Sequence, residues 1–190
     1  MWKNYIIICI IIINIIFCVG SSLNFSQEFF TNTLIVKFHV TPSQSLEFAN
    51  TYTELLDIFP ELNVNMFEIL AIGWQETNWK NIMGDGNTSY GYFQIQQEAY
   101  WYVKNYFPEI YEYFKFGGDW SNSISRPDIQ LVTMCLYLHL QKESYADSFM
   151  AYASYNGIGI DSKIYAMNVW NKINVLMNNY VKQGGEKYGI

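Results

Sequence analysis

Beyond Thr41 the apolar positions of this chain recur at helical spacing. Phe48, Tyr52, Leu55, Leu56 and Phe59 form one stripe until Pro60 breaks it, the rhythm of an amphipathic helix. Thr41-Pro42-Ser43-Gln44 reads as its start, a capping box with Pro at the first helical position. Asn65 with Glu68 three residues later predicts a second start, opening a helix that runs into GWQETNW. NIMGDGNTSYG, rich in Gly and Asn, predicts a loop. A helix from about 97 to 106 follows, with a further turn or two around Pro108, and GGDWSNSISRP predicts a second loop. Asp128 to Lys142 suits an apolar helix, and Ser148 to Asn156 a short one that ends at Gly157. The last helix is the clearest, with Ala166, Val169, Trp170, Ile173, Leu176, Met177 and Tyr180 on one stripe. Ahead of Thr41, TLIVKFHV alternates weakly. Leu34, Val36, Phe38 and Val40 on one face predict a short strand or an extended arm.

These patterns predict one mainly α, compact domain over residues 41–190, with at most a minor strand. Residues 22–40 are expected to be a linker or extended arm, and residues 1–21 a signal peptide or N-terminal anchor. The leader has Lys3, then about fifteen mostly apolar residues ending near Val19, short for a membrane span. Gly20, Ser21 and Ser22 offer a cleavage point, and the rest of the chain is expected to be exported. Cys9 and Cys18 lie in that leader, so Cys135 is left with no internal disulfide partner. Its setting, LVTMCLYLHL, predicts a buried, inert thiol.

Composition narrows the ligand. Hydrophobic residues make up 51% of the 190 and charged ones only 15%, enough for a sizeable core. Net charge is −6, and Arg126 is the single arginine. A phosphate backbone is gripped by clustered Lys and Arg, so nucleic acid is not an expected partner. Tyr, with 16 copies, offers ring faces and hydroxyls together, which suits a neutral sugar polymer.

Three short stretches carry candidate chemistry. Glu76 in GWQETNW is either a surface acid at a helix end or, beside Trp74 and Trp79, a poorly solvated carboxyl of the kind a general acid needs. In GYFQI, Gly91 permits close approach of another chain, and Gln94 offers a donor and an acceptor. Read alone, it is equally a loop entering a helix. In ASYNG, Tyr155, Asn156 and Gly157 could form no more than a helix C-terminus. His39 and His139 lack paired ligands, Asp85-Gly86-Asn87 lacks the later ligands of a calcium loop, and no P-loop, Gly-x-Ser-x-Gly or Cys-x-x-Cys occurs. No metal or cofactor is expected.

Taken in order, Glu76-Thr77, Gly91-Tyr92-Phe93-Gln94 and Ser154-Tyr155-Asn156-Gly157 resemble the motifs of lytic transglycosylases, which cleave bacterial peptidoglycan and are related in fold to goose-type lysozyme. The family's motifs read roughly E-S, G-L-M-Q and A-Y-N-A-G. RPDIQLVTMCLYLHLQ resembles its helix beginning Pro-Asp/Glu-x-Asn-Ile, and the likeness spans roughly residues 65 to 175. Thr77 departs from Ser, Ser154 from Ala, and Gly157-Ile158-Gly159 from Ala-Gly. The resemblance implies a lysozyme-like helical domain and one catalytic acid, Glu76. Gln94, Tyr155 and Asn156 would hold the sugar's N-acetyl group and the acid, Tyr165 would lie near the acid, and Tyr92 with Phe93 would shape the cleft wall. The implied partners are peptidoglycan glycan strands in the periplasm or cell envelope. Wall remodelling, a secretion or conjugation machine, and a phage all remain open as settings. A muramidase on the same fold would need a second carboxylate, for which Asp85 and Asp119 are the loop candidates. A non-catalytic glycan-binding or assembly protein is the alternative from another class.

Overall fold

The structure is a computed structural model that describes residues 26–84, 86, 88–116, 120, 125–157 and 159–184. The expected leader, Asp85, Asp119 and Ile158 therefore lie outside the described residues. The described residues are mainly helical. After an N-terminal helical segment come α1 (Pro42–Ile58), α2 (Met66–Thr77), α3 (Gln97–Tyr106), α4 (Pro108–Tyr113), α5 (Pro127–Ser144), α6 (Ser148–Tyr155) and α7 (Ile160–Lys182).

The helix starts follow local chemistry. Thr41 Oγ1 accepts from the Gln44 amide, with Pro42 pre-set in the first turn. At α2 the capping box is complete: Asn65 Oδ1 accepts from the Phe67 and Glu68 amides, and Glu68 Oε2 accepts from the Asn65 amide at 2.8 Å. Three orphan donors at the helix entry are thereby satisfied. Asp147 caps α6 by accepting from Phe149 N.

α5 is the centre of the molecule. From Ile129 to Leu136 every residue is buried, and Leu138, His139 and Leu140 follow. A helix apolar all round needs cover on all sides, and α1, α3 and α6 supply it. α7 then lies across α2 and α6, its most extensive neighbours, through Tyr165, Ala166, Val169, Ile173, Leu176 and Tyr180. Cys135 is fully buried in α5 and its thiol is held well above its ordinary pKa by burial. His139 is buried too, edge-on to Phe59, with Nδ1 accepting from the Asn63 amide at 3.2 Å. Burial lowers its pKa. His39 is exposed.

Two features depart from the expected pattern. Residues 26–38 are helical, not extended, and Thr33–Lys37 is a π-helical stretch. Leu34 and Phe38 are buried while Val36 is 74% exposed, so the repeat that matters is i to i+4 rather than i to i+2. The segment is also core: Phe29 packs edge-on to Tyr180 at 5.0 Å, and Phe30 stacks on Tyr52. The second departure is in NIMGDGNTSYG, which contributes two short strands rather than loop alone. β1 (Met83–Gly84), β2 (Ser89–Tyr90) and β3 (Ile95–Gln96) pair antiparallel in that order, with Met83 opposite Tyr90 and Tyr90 opposite Ile95.

A buried ion pair, not anticipated from the sequence, braces the core. Glu68 Oε1 accepts from Lys142 Nζ at 2.9 Å and from the Tyr152 hydroxyl at 2.5 Å. Glu68 is only 2% exposed, so these bonds replace the water its carboxylate gives up. Among the described residues no helix is long and apolar enough to cross a membrane.

Candidate active site

α2 delivers Glu76 at its last turn, and the chain reverses at once. Asn78 and Trp79 both take left-handed backbone conformations, with φ 53° and 60°, which Asn adopts more readily than other side chains but which is a true outlier for a bulky residue such as Trp. Trp79 is held there because its amide donates to Gly73 O and its indole Nε1 donates to Leu70 O. Its ring is buried among Phe48, Tyr92 and Phe93. Trp74 is also turned elsewhere. It packs on Phe38, with Lys37 Nζ 3.5 Å from its ring centre and Lys172 Nζ 5.3 Å away. The tryptophans set the helix end, whereas the ring bonded to the acid is a tyrosine.

Tyr165, on α7, donates from its hydroxyl to Glu76 Oε1 at 2.5 Å. Burial and the adjacent Glu76 charge push the Tyr165 pKa well above its ordinary value, so it remains a proton donor at neutral pH. Tyr155 stacks on Tyr165 with ring centres 6.3 Å apart and planes 10° from parallel. Burial, then Glu76, raise its pKa in the same way. The Tyr155 hydroxyl donates to Phe93 O at 3.0 Å.

The loop between β2 and β3 closes the arrangement. Thr77 donates to Tyr92 O at 2.9 Å and accepts from the Lys80 amide. Gly91 has φ +79°, and a Cβ there would come within 2.0 Å of the Gln130 side-chain oxygen. That close approach lets buried Gln130 accept from the Tyr92 amide at 2.8 Å while its Nε2 donates to Asn81. The three stretches are therefore tied together, Thr77 to Tyr92 and Tyr155 to Phe93, while Tyr165 of α7 holds Glu76.

A cavity of about 310 Å³ opens beside Glu76, lined also by Gln94, Thr133, Tyr137, Tyr155 and Asn156 among others. Among the described residues that line it, Glu76 is the one carboxylate. Asn156 sits exposed at its edge, and Ser154 turns its hydroxyl to Gln141 at 2.6 Å. Two expected roles change. Tyr92 is core rather than cleft wall, 3% exposed and edge-on to Phe48 at 5.0 Å, because both its backbone groups are pinned from below. Gln94 lines the cavity, but its amide is spent on its own loop. Oε1 accepts from Ser89 at 2.8 Å, and Nε2 donates to Ile82 O and Gly91 O. Its backbone is left-handed, φ 48°, and the amide packs where any side chain on Gly84 would stand. Gln94 therefore braces the cavity wall.

Gln130 and Thr77 are the positioning residues that sequence reasoning undervalued. The signal for the first lies in the start of α5, Pro127-Asp128-Ile129-Gln130. No group of three or more His, Cys, Asp and Glu side chains suited to a metal occurs among the described residues. Comparison with known protein families, curated proteins and solved structures finds no match to this chain.

Proposed function

We propose that this chain is a peptidoglycan lytic transglycosylase, cleaving the β-1,4 bond between N-acetylmuramic acid and N-acetylglucosamine. The observation that supports it most is the convergence of all three motif stretches on the one cavity that Glu76 lines. Glu76 donates a proton to the glycosidic oxygen as the C1–O bond breaks. The sugar's own C6 hydroxyl then attacks C1 and gives its proton to the Glu76 carboxylate. The product is a 1,6-anhydro ring, and the acid is restored without water. An internal nucleophile removes much of the entropic cost of attack, on the order of 7 kcal/mol or more. Tyr165 holds the carboxyl in place for both transfers, and Tyr155 supports Tyr165. The substrate puts the site of action in the bacterial envelope, in keeping with the export expected from the leader. Mass spectrometry of muropeptides released from purified peptidoglycan tests the reading. Anhydro ends are expected, and reducing muramic acid as the main product would replace transglycosylation by hydrolysis.

A further inference from the structure

A row of tyrosines runs outward from Glu76. Tyr165 bonds the acid, Tyr155 stacks on Tyr165, and Tyr137 meets Tyr155 at a ring distance of 5.5 Å while lining the cavity. Beyond it, Tyr102 and Tyr145 lie close enough to Tyr137 to add to the rise in its pKa, after the larger effect of burial. Tyr102 in turn has its ring 6.3 Å from Tyr106. Exposure grows along the row, from 6% at Tyr165 to 51% at Tyr102 and 61% at Tyr106. The core gains little from these last two rings, and neighbouring exposed aromatics beside a cavity mark a binding surface. The surface is continuous with the cavity, because Ala99 lines the cavity and Tyr102 and Tyr106 follow it on the same face of α3.

The row also indicates its ligand. It contains no charged side chain, and Lys104, the lysine of α3, is turned over Tyr100 and Trp101 instead. The rings themselves offer a polyanion no charge to pair with. Tyrosine offers a rigid apolar face edged by a hydroxyl, at low entropic cost. That matches a neutral polymer of sugar rings, whose apolar faces alternate with hydroxyl edges. We infer that Tyr102 and Tyr106, joined to the cavity through Tyr137, form an outer platform that holds the sugars of a glycan strand beyond those in the cavity. This rests on the glycan-cleaving reading for its direction, though not for its test.

The test uses Glu76→Gln protein, so that ligand persists, with strands of neutral β-1,4-linked N-acetylglucosamine and the matching disaccharide as probes in titration calorimetry. Tyr102→Ala with Tyr106→Ala should weaken strand binding about tenfold or more while disaccharide binding stays within about twofold. Tyr106→Phe should retain most of the strand affinity, since the ring is kept. Unchanged strand affinity in the double variant, or equal losses for strand and disaccharide, would overturn the platform. If neither probe binds the parent protein, platform and glycan reading fall together. If strands bind through these rings but wild-type protein releases no fragments, the catalytic reading alone falls.

Discussion

Gly91→Ala tests how the site is held together, because two separate costs meet at that residue. The first is conformational: φ is +79°, and a left-handed residue with a Cβ costs roughly 1–2 kcal/mol. The second is steric. The added methyl would stand 2.0 Å from Gln130 Oε1 and 2.2 Å from its Cδ, so the Gln130 side chain must leave. Its departure strands the buried Tyr92 amide, whose acceptor it is; an unmet buried donor costs roughly 1–3 kcal/mol. Together these give about 2–5 kcal/mol, or a melting temperature lower by roughly 4–20 °C for a chain of this length. Wall-lysis activity should fall as well, because Gln94, at the far end of the same loop, lines the cavity. Calorimetry of Gly91→Ala, Gln130→Ala and the double variant separates the two costs. Once Gln130 is short, the methyl has room and the Tyr92 amide is already stranded. The double variant should therefore lose less than the sum of the singles by about 1–3 kcal/mol. Strict additivity, or an unchanged melting temperature in Gly91→Ala, would refute the clamp.

Other consequences are open to measurement. Glu76→Gln should abolish lysis with a near-normal melting curve, since the amide oxygen can still accept from Tyr165; retained activity would remove Glu76 from the mechanism. Tyr165→Phe keeps the stack on Tyr155 and loses only the bond to Glu76, and a misplaced acid of this kind costs on the order of 100-fold in turnover. His139 has its pKa lowered by burial from an ordinary value of 6.5. The unfolded chain therefore binds more protons below that pH, and stability should fall as pH drops from 7 toward 5. His139→Asn, which keeps an acceptor for the Asn63 amide and cannot titrate, should flatten that slope in urea melts. Lys142→Met leaves Glu68 buried without its cation and should cost about 3 kcal/mol; adding Glu68→Gln should recover part of it.

Much of this architecture can be read locally. The starts of α1 and α2 are visible because their caps lie within four residues of one another, and the last helix because its apolar stripe repeats over about four turns. Glu76 and Tyr155 are legible through motif order. What escapes the sequence is long-range. Glu68 shows its capping role locally, but its bonds to Lys142 and Tyr152 span 74 and 84 positions. The inward turn of Tyr92 depends on Gln130, 38 residues away. Trp74 and Trp79 look like neighbours of the acid in the linear text, yet a left-handed reversal after Thr77 sends one indole into the core. TLIVKFHV misleads for a different reason: four apolar residues at spacing two also contain pairs at spacing four, and Phe29 and Phe30 upstream decide between them.

Those upstream residues bear on how far the chain can be trimmed. Phe29, Phe30, Leu34, Phe38 and Val40 are all buried in the core, although every motif of the site lies beyond residue 41. Ser26 already shares a hydrogen bond with Tyr180 near the far end of α7. Any protease acting on this protein therefore meets a cliff rather than a slope. Cuts ahead of Ser26 leave all of these residues in the chain. A cut a few residues later takes away two phenylalanine rings, worth about 1.5–3 kcal/mol each, and uncovers Phe67 and Tyr180. The shortest stable form is set by aromatic packing at one end of the molecule, far in sequence from the acid whose geometry α7 maintains.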